Sequence, residues 1–118
     1  MADLVCKPWF HGDVPTKTAE NSLRLCKSGS FLVRFSNSKL DSYCISLVNQ
    51  AKIIQHITIP YKCGEGVKIG SGVYETMCAL VTGRKDKMNL QVACPGSPFA
   101  WLFEEDVAEV GGYGTAYA

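Results

Sequence analysis

The run Ser30–Ser36, SFLVRFS, constrains this chain more than any other feature of it. Its two alternating sets are Phe31, Val33, Phe35 and Leu32, Arg34, Ser36, so apolar side chains leave an extended backbone on both sides. That pattern marks a strand covered on both faces, and it demands a layer of structure on each side. Arg34 breaks the pattern in mid-strand. A guanidinium stays protonated, so burying it without a partner is severely unfavourable. Either an internal acid pairs with it, Asp41 in the adjoining loop being the nearest in sequence, or its partner arrives from outside. In the second case an anion takes the guanidinium fork through two parallel hydrogen bonds.

The segments around this strand supply the covering layers. Pro15 and Thr16 open a short helix, with Thr16 placed to cap it, and Ala19, Leu23 and Cys26 fall at i, i+4 and i+7 before the stop at Ser28-Gly29. Tyr43–Val48 and Lys52–Ile59 read as further strands, the second ended by Pro60. The links Asn37–Ser42 and Asn49–Ala51 are too short for anything but an antiparallel meander. Residues 61–72 are Gly-rich, with Val67 and Ile69 in a brief edge strand. A second helix is predicted over Val73–Thr82, with Tyr74, Met77, Cys78 and Val81 on its apolar face, and Asn89–Cys94 as a last short strand. The order predicts an α+β fold, a central antiparallel β-sheet flanked by two α-helices, one on each face.

Composition narrows the function. At 118 residues, 47% hydrophobic and 19% charged, the chain suits one soluble globular domain. No apolar run exceeds the five residues of Phe99–Phe103, too few to span a membrane, and nothing before Trp9 looks like a secretory signal. All 12 Lys and Arg lie within residues 1–100 against 7 of the 11 acids, so the net charge of +1 hides a body at +5. That excess is too small for a nucleic-acid stripe and suits a partner bearing one or two phosphates. Cys6, Cys26, Cys44, Cys63, Cys78 and Cys94 contain no C-x-x-C pair for a metal, and the expectation is reduced thiols in a cytoplasmic compartment. No metal and no cofactor is expected.

Beyond Arg34, the small polar loop Ser36, Asn37, Ser38, Lys39 offers hydroxyls and backbone N–H groups to an anion. His56, between Gln55 and Ile57 on the third strand, is either a satisfied core residue or a neighbour of Arg34 on one face. Together with Trp9-Phe10-His11-Gly12, Gly29–Ser36, Tyr43–Leu47, Leu80-Val81 and Val92–Pro95, these residues carry a resemblance. Over residues 8–96 the chain resembles the Src-homology-2 (SH2) domain, a family that binds peptides containing phosphotyrosine. The resemblance implies a non-enzymatic module. In it Arg34 is the phosphate ligand at the pocket floor, Ser36, Asn37, Ser38 and Lys39 the phosphate-binding loop, His56 a supporting residue, and Cys44 part of the wall. Ile57, Thr58 and Ile69 are its expected peptide specificity surface.

Three departures qualify this picture. Many members of that family carry an arginine at the start of the first helix, where this chain has Thr16 followed by Lys17. Lys17 either substitutes as a point charge or is a solvated helix lysine, and Thr16 offers only a hydroxyl. A basic residue often found two positions after the histidine is Thr58 here, so phosphate affinity rests more heavily on Arg34, Lys39 and the loop backbone. The loop Arg84–Met88 is short, which implies weak selectivity for residues flanking the phosphotyrosine. The rival readings are a scaffold of the same fold that has lost phosphate binding, and a cysteine-nucleophile enzyme, which no triad or oxyanion pattern supports. The expected partners are tyrosine-phosphorylated proteins or peptides, with no nucleic acid and no membrane, met by a monomer. Residues 1–7 form a lead-in. Residues 97–118 form an extension, acidic then Gly/Tyr-rich, whose Tyr113 and Tyr117 are either phosphorylation sites or part of a plain linker.

Overall fold

The computed structural model describes residues 4, 6–37, 41–62 and 64–99. In chain order the elements are β1 (Phe10–Gly12), α1 (Thr16–Leu23), β2 (Ser30–Phe35), β3 (Ser42–Val48), β4 (Ile54–Lys62), β5 (Gly66–Ile69), β6 (Gly72–Tyr74), α2 (Met77–Gly83) and β7 (Val92–Ala93). The expected meander is present: β2, β3 and β4 pair antiparallel, with Arg34 opposite Cys44, Cys44 opposite Thr58 and Ser46 opposite His56. Beyond β4 the sheet continues antiparallel through β5 and β6. Two short strands, β1 and β7, lie parallel to β2. Among the described residues no helix is long and apolar enough to cross a membrane.

The alternation in β2 divides the core in two. Phe31 and Val33 join Ile45, Leu47, Ile59 and the α2 residues Met77, Leu80 and Val81 on one face. Leu32 joins Val48, Cys94 and the α1 residues Ala19 and Leu23 on the other. Each helix therefore buries one apolar stripe against its own side of the sheet, and β2 is buried from both. Arg34 shares the α1 side with Leu32, two residues away in the strand.

Several boundaries differ from the sequence reading. β4 does not stop at Pro60 but runs to Lys62. The Tyr61 N–H points back toward β3 and bonds the Asp41 carbonyl at 3.1 Å, so the nitrogen of Pro60 faces the opposite side. There β5 pairs only Tyr61 and Lys62, and the missing N–H costs no ladder bond. Val73 and Tyr74 belong to a strand, and α2 begins at Met77, where the Thr76 hydroxyl caps the Ala79 N–H at 3.0 Å. The 3–4 spacing of Tyr74, Met77 and Val81 imitated a longer helix. The closing strand is two residues, not six, and the packed chain continues past it. Ser97 Oγ donates to the Phe10 carbonyl at 2.8 Å, and the Phe99 ring stacks on Phe10 at 5.7 Å.

Candidate functional site

Arg34 is 3% exposed. Its guanidinium is nonetheless fully engaged. Nε donates to Ser46 Oγ at 3.1 Å, Nη1 to Asn37 Oδ1 at 3.2 Å and to the Phe35 carbonyl at 3.5 Å, and Nη2 to Thr16 Oγ1 at 3.1 Å. Nη2 also lies 3.4 Å from His56 Nδ1. Every one of these acceptors is neutral, and among the described residues no carboxylate pairs with Arg34; the carboxylates that meet a basic side chain there are Glu20, at His56, and Glu65, at Lys68. Asp41, the nearest acid in sequence, forms no ion pair with it. The buried cation is thus solvated by the protein but not neutralised by it.

A relay extends from this cation. Ser46 Oγ lies 2.7 Å from His56 Nδ1, and His56 Nε2 lies 3.0 Å from Glu20 Oε2. Because Ser46 already accepts from Arg34 Nε, its own proton is free to go to His56 Nδ1, which leaves the Nε2 proton for the Glu20 carboxylate. Ser46 and Glu20 were not read from the sequence as site residues. Both had a signal: Ser46 sits two residues after Cys44 in the same alternation, and Glu20 follows Thr16 by four in one helix, hence on one face.

Asn37 takes over the capping role expected of Thr16. The residue flanking the helix is Pro15, which makes no side-chain cap. Thr16 is the first helical residue, so its hydroxyl cannot reach back to cap and accepts from Arg34 instead. The cap comes from the β2–β3 loop, where Asn37 Oδ1 accepts the Thr16 N–H at 3.1 Å while also accepting from Arg34. One amide oxygen therefore ties loop, helix start and guanidinium together. Ser36 is half-buried and closes the same loop through its N–H to the Ser42 carbonyl at 3.0 Å. Ser38 and Lys39 lie outside the described residues.

The other candidates separate. Cys44 is buried directly across from Arg34; burial pushes its thiol up, against the opposing pull of the Arg34 charge and of bonds from Ser46 and the Ile57 backbone. Lys17 is exposed on α1, one residue beyond Thr16. Thr58 is exposed and alternates onto the same face as His56, whereas Ile57 turns to the opposite face and packs on the α2 core. Ile69 ends β5, half-buried, its carbonyl 3.5 Å from Arg84 Nη2. Arg84 also donates from Nε to the Tyr74 hydroxyl at 3.1 Å. A cavity of about 680 Å³ lies elsewhere, lined by Tyr43, Tyr61, Val67, Val73 and Met77 among others, and none of the hydrogen-bond partners of Arg34 borders it.

Comparison with known proteins assigns the sequence to a family. The family model described as SH2 domain matches residues 9–82. The chain is 36% identical over 105 residues to the dual specificity protein kinase shkA of Dictyostelium discoideum, covering 89% of this chain and 19% of that protein. It is 32% identical over 87 residues to human Ras GTPase-activating protein 1, covering 65% of this chain and 8% of that one. A mouse SH2 domain-containing adapter protein D is 49% identical over 41 residues, 35% of this chain and 12% of the adapter. The chain thus spans a fifth or less of the length of these relatives.

Proposed function

The chain belongs to the SH2 domain family, a family of phosphotyrosine-binding signalling modules, and from that premise we propose that Arg34 is the ligand for the phosphate of a phosphotyrosine. The observation that carries this reading is a guanidinium buried among neutral acceptors with no carboxylate beside it among the described residues. A phosphate bears a charge of about −1.5 to −2 and supplies the missing countercharge. Its oxygens take Nη1 and Nη2, the two nitrogens now held by the exposed residues Asn37 and Thr16. Nε stays on Ser46 and holds the fork in plane, while Glu20 and Ser46 hold His56 at its edge. The small loop of Ser36, Asn37, Ser38 and Lys39 closes over the ester, with Cys44 in the wall, and Lys17 adds a long-range positive charge.

Depth selects the ester. With the guanidinium beneath the surface, a phenol ring carries its phosphate far enough, and the short stems of phosphoserine and phosphothreonine do not. The module acts by binding and not by catalysis, on tyrosine-phosphorylated proteins or peptides, as a monomer in the cytoplasm.

Selectivity for flanking residues is weak in this reading. Arg84 lies between the β5–β6 turn and the end of α2, bonded to Tyr74 and Ile69. A Cβ at Gly72 would collide with Arg84, and one at Gly83 with the Tyr74 ring, so the space between those elements is already filled. Ile57, Thr58 and Ile69 then offer scattered contacts rather than one deep second pocket. Fluorescence-polarisation titration with one peptide carrying phosphotyrosine, phosphoserine or phosphothreonine tests the assignment. Binding of the phosphotyrosine form alone is expected, and equal affinity for all three overturns it. A peptide array showing a sharp requirement three residues downstream would overturn the weak selectivity.

A further inference from the structure

Away from the phosphate site, two thiols meet between elements far apart in the chain. Cys26 lies in the turn after α1, and Cys94 follows β7; 68 positions separate them, and their sulfurs stand 3.9 Å apart. Cys94 is fully buried and held from three directions. Its N–H bonds the Phe31 carbonyl at 2.8 Å, its own carbonyl accepts from His11 Nε2 at 2.9 Å, and its side chain packs with Ala19, Leu23 and Leu32. Cys26 is half-buried, and its thiol bonds the Ser22 carbonyl at 3.3 Å. One sulfur is fixed inside and the other sits at the boundary with solvent. Cys6 and Cys78 have no such pairing among the described cysteines, and Cys44 lies beside Arg34.

We propose that Cys26 and Cys94 form a peroxide-sensitive dithiol, which closes to an intramolecular disulfide and staples α1 to the strand layer. Cys26 is the sulfur a hydroperoxide reaches. As thiolate it attacks one peroxide oxygen; the S–O bond forms, the O–O bond breaks, and the departing oxygen takes up a proton and leaves as alcohol or water. Cys26 is now a sulfenic acid, oxidised by two electrons. The Cys94 sulfur displaces its hydroxyl, the S–S bond forms, and the Cys94 proton leaves with that hydroxyl as water. The net reaction consumes two thiols and one hydroperoxide and gives one disulfide, one alcohol and one water. Burial, with the neighbouring Cys26, pushes the Cys94 thiol up to about 12. Cys94 is therefore protonated at neutral pH and is not the first target; it gives up its proton only as it attacks the sulfenic sulfur 3.9 Å away.

The closure requires the sulfurs to approach by roughly 1.9 Å, since a disulfide bond is about 2.05 Å long. Rotation of the Cys26 side chain away from the Ser22 carbonyl supplies that movement while Cys94 stays in place. The bridge encloses a long loop, so it restricts the unfolded chain more than the folded one.

The test treats the full chain with hydrogen peroxide, blocks remaining thiols, and digests it with trypsin. A reducible species joining residues 25–27 to residues 88–118 is expected, lighter by two hydrogens than the sum of its parts. The oxidised protein should melt about 10 °C higher, reversed by dithiothreitol. Cys26→Ser should abolish both changes, and Cys78→Ser should leave both intact. Cys26 carried on to sulfinic acid without the linked peptide, a link through any other cysteine, or chains joined to one another would each overturn the proposal.

Discussion

Replacing Arg34 by alanine separates a cation held for a ligand from a cation held for the fold. In the folded protein its partners are Ser46, Asn37, Thr16, His56 and one carbonyl, none of them anionic. Removing the side chain forfeits a handful of neutral hydrogen bonds worth about 1 kcal/mol each. It also relieves the desolvation of an unpaired charge, which costs several kcal/mol. The two nearly offset, and Ser46 and His56 still bond each other, so the melting temperature of the unliganded variant should move by less than about 5 °C. Binding behaves differently. A phosphate that enters the site and finds no guanidinium loses about 3–5 kcal/mol, which is two to almost four powers of ten in affinity. Arg34→Lys should lose about two powers of ten, because one ammonium cannot meet Ser46, Asn37 and Thr16 together. Calorimetric titration with a phosphotyrosine peptide, paired with thermal melts, reads both quantities. The reasoning is refuted if Arg34→Ala binds within tenfold of the unaltered protein, or if it melts more than about 12 °C lower with binding preserved, the signature of a structural ion pair.

Asn37→Ala removes the oxygen shared by the Thr16 N–H and Arg34; chemical denaturation should show a loss of about 1 kcal/mol. Glu20→Ala frees His56 to rotate without touching Arg34, and phosphopeptide affinity should fall about fivefold by fluorescence polarisation, one hydrogen bond's worth. Burial pulls His11 below its ordinary value of 6.5, with the bond to the Cys94 carbonyl opposing. The unfolded chain therefore binds this proton more readily than the folded one, so the stabilisation is complete above about pH 6.5 and is lost as pH falls from there toward the folded value. Melting curves across that window should show a decline that His11→Gln flattens; an equal decline in the variant assigns it to other groups.

Much of the fold was legible because its constraint is repeated along the chain. β2 names both faces of the sheet by itself, and the short polar links around it leave only an antiparallel order for β2, β3 and β4. What escaped were segments too short to show a period. β1 has three residues and draws its order from parallel pairing with β2, where Trp9 takes the Val33 N–H at 2.7 Å. β6 was hidden because Tyr74, at helical spacing from Met77, satisfies a helix and a strand equally well in sequence. At the site, Arg34 stood out as a charge where none belongs, whereas Ser46 and Glu20 are ordinary residue types at ordinary positions. Only the register that sets Ser46 opposite His56, and the packing of α1 over that pair, turns them into a relay. Thr16 shows the limit from the other side: its helix-start position was read correctly, but the partner that claims its hydroxyl lies 18 residues away.

One comparison bears on all of this most directly: the binding isotherms of a single tyrosine peptide with and without its phosphate, measured on the unaltered chain at one ionic strength. Saturable one-to-one binding of the phosphorylated form, with the other at least about a hundredfold weaker, is the predicted result, set by a buried cation that only the ester can neutralise. Indistinguishable isotherms would contradict it and leave Arg34 without a partner.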